Sequence, residues 1–91
     1  SGRWSVIKLV DLAAARVLQG EPEQACGDLV RALKLALDAG YMTGVERIRG
    51  VRDRFRPEWA GLPCVRDLDD LLRLAAYRQT LDQLTDLSAS L

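Results

Sequence analysis

Acid–base chemistry at neutral pH usually runs through histidine, and this 91-residue chain has none. What remains is two thiols, a cluster of carboxylates and an unusual density of arginine. Cys26 and Cys64 lack the short spacing of a metal knuckle, and each falls within an apolar helical pattern. Buried free thiols are the expectation, since disulfides are rare in cytosolic chains. The run "DLDD" places Asp67, Asp69 and Asp70 together. Just behind a proline that opens a helix, those carboxylates complement the helix dipole from solvent. A metal site on Asp67 and Asp70 has no other support, and no glycine-rich phosphate loop is present. The chain therefore reads as a non-enzyme, with no catalytic residue, no cofactor and no metal.

The segment "RIRGVRDRFR" carries five arginines, Arg47, Arg49, Arg52, Arg54 and Arg56. Such a helix is able to grip phosphates, and direct nucleic-acid binding through Arg47 to Arg56 is one reading. Against it, Glu46 with Arg49 and Arg49 with Asp53 have the spacings of intrahelical ion pairs, and the arginines flank an apolar stripe on both sides. A solvated helix surface is the favoured reading. Arg49, Arg52 and Arg56 do share one side, which leaves an acidic partner segment as a candidate contact. Trp4, Tyr41 and Trp59 stand at helix ends, where aromatic rings more often cover core edges than stack on a ligand.

The elements that position these residues are helices. In "GEPEQACGDLVRALKLALDAG", small Ala25 and Ala32 fit where two helices approach closely, while Leu29 and Leu33 fill the space beside them. Upstream, Leu9, Leu12 and Ala13 recur at three- and four-residue steps on a first helix, from roughly Trp4 to Leu18. Glu21 and Pro22 open the second helix and Gly40 ends it, giving an antiparallel hairpin. Thr43 and Glu46 have capping-box spacing, which predicts that a third helix begins there, burying Val45, Ile48, Val51 and Phe55. Pro57 stops it, and "PEWAGLP" is the longest irregular connection. Pro63 then opens a fourth helix that buries Val65, Leu68, Leu72 and Ala75. The expected architecture is one all-α domain over residues 1–91, with about four helices in antiparallel hairpins and a long C-terminal helix. The second helix is apolar on more than one side, so it is built to be sandwiched between the first and third.

The tail changes pattern. Leu74, Tyr77, Leu81, Leu84 and Leu91 fall on a four-three repeat, interrupted by Ser88 and rotated from the Val65, Leu68, Leu72, Ala75 stripe. One neighbour cannot bury both stripes. Either the helix breaks near Ala76 and the tail folds back, or it continues and offers the second stripe to another molecule. No glycine or proline follows Pro63. Continuation and self-association, as a homodimer or larger, are therefore the expectation.

The first hairpin resembles a tetratricopeptide repeat. In that register Leu9, Leu12, Ala13, Gly20, Ala25, Leu29, Ala32 and Leu33 fall on signature positions. Arg16 stands where an aromatic is usual, and Leu37 where proline is usual. More closely, Leu9 to Arg73 is similar to the C-terminal tetratricopeptide-like region of helix-turn-helix transcriptional regulators of the XRE class from actinobacteria. The resemblance implies a sensory or protein-interaction module whose DNA contact lies in another domain. It also implies that Ile7, Val10, Asp11 and Ala14 face a groove for a peptide or partner helix. Two hairpins are fewer than the three or so repeats that such arrays need, so another surface should cover a face. The second hairpin does not keep the thirty-four-residue spacing and is repeat-like only.

Composition agrees with this reading. Thirteen basic residues balance thirteen acidic ones, so no global field steers the chain onto nucleic acid or an anionic membrane. Apolar runs fall far short of a membrane span and the start has no signal-peptide pattern, which makes a cytoplasmic location the default. The opening "SGRW" reads as an excised C-terminal piece of a larger protein, with residues 1–2 a cloning scar. Eleven arginines against two lysines imply a GC-rich genome. Salt-dependent DNA affinity would mark the nucleic-acid reading, and its absence the interaction-module reading.

Overall fold

The computed structural model describes residues 2–90. The chain forms α1 (Gly2–Leu18), α2 (Pro22–Asp38), α3 (Met42–Asp53), a single 3-10 turn (Pro57–Gly61) and α4 (Pro63–Ser90). No strand occurs among the described residues, so the fold is all-α with four helices and a long last one. No described helix is long and apolar enough to cross a membrane.

The turns after α1 and α2 share one geometry. Gly20 has φ 74° and Gly40 φ 64°, the left-handed conformation that glycine adopts without steric cost. At the first turn the Gly20 amide donates to the Val17 carbonyl (3.1 Å) and the Glu21 amide to Arg16 (2.9 Å). At the second, the Gly40 amide donates to Leu37 (3.2 Å) and the Tyr41 amide to Ala36 (2.8 Å). This is the Schellman pattern, which satisfies the last carbonyls of a helix while reversing the chain. Pro22 then suits the opening of α2, where a missing amide costs nothing.

The second turn also corrects the expected start of α3. Tyr41, bonded back to Ala36, already occupies the cap, so the helix begins at Met42 and no side chain caps it. Thr43 lies inside the first turn and is exposed, and the capping box does not form. A second correction concerns "PEWAGLP". It is largely ordered, because Pro57 starts a 3-10 turn in which the Trp59 amide donates to Arg56 and the Leu62 amide to Trp59. Trp59 is thereby buried edge-on against Phe55, with centroids 5.5 Å apart.

The core is continuous. Val6, Val10, Ala13 and Val17 supply α1; Ala25, Cys26, Leu29, Ala32, Leu33 and Ala36 supply α2. Val45, Ile48, Val51 and Phe55 follow from α3 and its exit, and Val65, Leu68, Leu72 and Ala75 from α4. The last two stripes match the periodicity, whereas the α1 stripe is rotated from the expected one. Leu9 is half-buried and Leu12 is exposed, because the valines, not the leucines, complete the apolar row with Ala13. Ala13, Ala25, Ala32 and Ala36 are all fully buried, and with so little side chain between them α1 and α2 lie close. Helix α2 also packs on α3 and on α4, so it is sandwiched as its apolar breadth required. By contrast α3 and α4 stand farther apart, and long side chains bridge them.

Candidate functional site

The space between α3 and α4 gathers two arginines of the arginine-rich segment, Arg49 and Arg52. An open hollow of about 440 Å³ is lined by Arg49, Arg52, Asp53, Asp69, Leu72 and Arg73. Arg52 donates two hydrogen bonds to the Asp69 carboxylate, at 2.6 and 2.9 Å, the fork-to-fork geometry that fits guanidinium to carboxylate. Arg49 donates to the Leu72 carbonyl at 2.9 Å and lies 3.7 Å from Glu46. Arg49 thus faces Glu46 and α4 rather than Asp53. Arg56 instead stacks over the Trp59 ring at 5.1 Å, and Arg52 also lies over Phe55 at 5.2 Å. Of the three arginines expected to meet an acidic partner, two already meet α4 of their own chain. Asp69 is therefore a tie between helices rather than a solvated carboxylate, while Asp70 pairs with Arg73 on its own helix.

The Arg52 hydrogen bonds hold the Asp69 carboxyl below its ordinary range, against the opposing effect of burial. A lowered folded value stabilises the protein above the unfolded value, about 3.9 for aspartate, and that contribution disappears as pH falls through the folded value. Urea midpoints measured from neutral pH downward should therefore fall less steeply below about pH 4 for Asp69→Asn than for the parent. Parallel curves would refute the assignment.

The groove residues predicted on α1 do not behave alike. Val10 is core, Ile7 and Ala14 are half-buried, and Asp11 is exposed. Val10, Asp11 and Ala14 line a shallow hollow of about 260 Å³ with Arg47, Gly50, Val51 and Arg54 of α3. Its rim is charged, so it is less apolar than the sequence implied.

One polar site escaped the sequence. Asp28 is only 2% exposed, and its carboxylate accepts from Arg16 of α1 at 3.3 Å and from Arg31 at 2.5 Å. Arg16 also reaches Glu21 at 3.3 Å. The only hint was Arg16 standing where an aromatic is usual in the repeat register. Nearby chemistry is muted. Cys26 is buried, and burial, reinforced by the adjacent Cys64 thiol, pushes its pKa up to about 12. Such a thiol is a poor nucleophile. Cys64 is half-buried, more open than expected. No group of three or more histidine, cysteine or carboxylate residues able to hold a metal occurs among the described residues.

One further surface feature is an apolar stripe on α4. Helix α4 continues unbroken past Ala76, and residues 76–89 are exposed apart from half-buried Gln79. Leu74, Tyr77, Leu81, Leu84 and Leu87 are 64, 65, 45, 54 and 64% exposed. Leu91 lies outside the described residues. Beside the root of this arm, Val30, Leu33 and Leu37 of α2 and Leu71 and Leu74 of α4 line an apolar groove of about 180 Å³. No protein-family model, curated protein or solved structure matches the chain. Its function has to be argued from these surfaces.

Proposed function

We propose that this chain is a non-catalytic module for protein interaction and self-association within a cytoplasmic helix-turn-helix transcriptional regulator whose DNA contact lies in another domain. One observation carries the self-association. The exposed leucine and tyrosine stripe of α4 runs along a helical arm that no other element covers. A stripe of this length in water is costly and marks an interface. The hollow between α1 and α3 is the place proposed for a peptide partner or small effector. The regulator context rests on the resemblance of Leu9 to Arg73, and a symmetric dimer would suit paired DNA half-sites. Nucleic-acid binding by the arginine helix has less support, since Arg49 and Arg52 are engaged by α4.

Light scattering at about 10–100 μM should give a dimer or larger species for the parent chain. Leu81→Glu combined with Leu84→Glu should return the monomer mass with helical circular dichroism intact. A monomeric parent, or equal association of both forms, would overturn the reading.

A further inference from the structure

Thirty-eight positions separate the two cysteines of this chain, and the fold brings them together. Helix α2 sets Cys26 in the core at 2% exposure, and Cys64, in the first turn of α4, packs against that core from its rim. The two thiols are hydrogen-bond partners across the α2–α4 contact. Both are free, so the resting form is a dithiol. One core cysteine behaves as a small apolar side chain. Two in contact are one bond short of a covalent tie between helices.

We propose that Cys26 and Cys64 are an oxidant-responsive pair that a peroxide converts to a disulfide, fastening the root of α4 to α2. Half-buried Cys64 is the end that solvent reaches, so oxidation begins there. Its sulfur attacks one peroxide oxygen, the O–O bond breaks, and the thiol proton leaves with the other oxygen as water, giving a sulfenic acid. The Cys26 sulfur then attacks the Cys64 sulfur, the S–O bond breaks, and the hydroxyl departs with the Cys26 proton as a second water. Two thiols and one peroxide thus give one disulfide and two waters. Cys26 holds its proton tightly, because burial and the adjacent Cys64 push its pKa up to about 12, while Arg52 of α3 and Asp69 of α4 act on it in opposite senses. At neutral pH about one Cys26 in 10⁵ is therefore thiolate. Contact compensates, since well-oriented intramolecular partners reach effective concentrations of about 10⁵–10⁸ M. The same proton keeps Cys26 from reacting with oxidant directly, so closure waits on Cys64.

The pair lies at the start of α4, before the exposed stripe begins at Leu74, so its oxidation reads independently of self-association. Hydrogen peroxide at a small molar excess, followed by denaturation in a maleimide, should leave the parent as a single chain, unlabelled and lighter by two hydrogens, with Cys26 and Cys64 joined in its proteolytic map. Dithiothreitol should restore both labels. The oxidised form should melt about 8 °C or more above the reduced one, as closing a loop of this length predicts. Cys26→Ala, checked for retained helix by circular dichroism, should stop at a Cys64 sulfenic acid that dimedone captures, whereas Cys64→Ser should leave Cys26 unoxidised. Both thiols still open to maleimide, a disulfide between chains instead of within one, or Cys64 over-oxidised to a sulfinic acid beside a free Cys26 would overturn the pairing. An oxidised form that melts no higher would overturn the fastening of α4.

Discussion

Leu68→Ala is expected to remove ~2–5 kcal/mol of folding stability, the range for large-to-small core truncation, with the size set by how far the cavity collapses. Leu68 is fully buried on the stripe that α4 contributes to the core, between Val65 and Leu72. With half-buried Cys64 and Leu71 beside it, that stripe is the apolar attachment of a 28-residue helix to the body. A small domain holds about 5–15 kcal/mol in total, so this one change takes a large share of it. Phe55→Ala should fall at the upper end, about 3–5 kcal/mol. The ring is buried, packs edge-on against Trp59 and lies beneath Arg52, and its loss opens the end of α3 and the 3-10 turn together. Chemical unfolding reads both. Midpoints unchanged by either substitution would show that α3 and α4 do not share a core.

Replacing both Arg16 and Arg31 by methionine should cost about 3–5 kcal/mol, the usual consequence of stranding a buried charge. Asp28 would keep its place between α1 and α2 with neither guanidinium to satisfy it. Adding Asp28→Leu to the double variant should recover most of the loss, since an apolar replacement of a buried ionic group is often neutral or stabilising. The comparison separates charge from packing. If the triple variant is no more stable than the double, the cost lies in lost side-chain contacts and the ion-pair account is wrong.

The helices were legible in the sequence because their signals are local. Pro22 and Pro63, Gly20 and Gly40, and the stripes of α3 and α4 each announce themselves within a few residues. The stripe of α1 was misread because Leu9 and Leu12 outrank valine in apolar area. Only the facing alanines of α2 decide that Val6, Val10 and Val17 turn inward. The Thr43–Glu46 signal failed for a related reason, since a backbone turn formed by Ala36 and Tyr41 had already fixed the helix start. Of the candidate surfaces, the tail stripe was legible as a repeat. The Arg52–Asp69 and Arg16–Asp28 pairs were not, because seventeen and twelve residues separate the partners and no periodicity links them.

Because the turn at Gly40 repeats the hydrogen bonds of the turn at Gly20 twenty residues later, the chain reverses the same way twice. Two reversals restore the original direction, so α1 and α3 run the same way, and both pack against α2. The exit from α3 uses different backbone: Arg56 is extended, at φ −64° and ψ 140°, and leads into the 3-10 turn. The repeated reversal stops there. Helix α4 leans on α2 for its first three turns and then outruns the body, and the arm is what remains where that repetition ends.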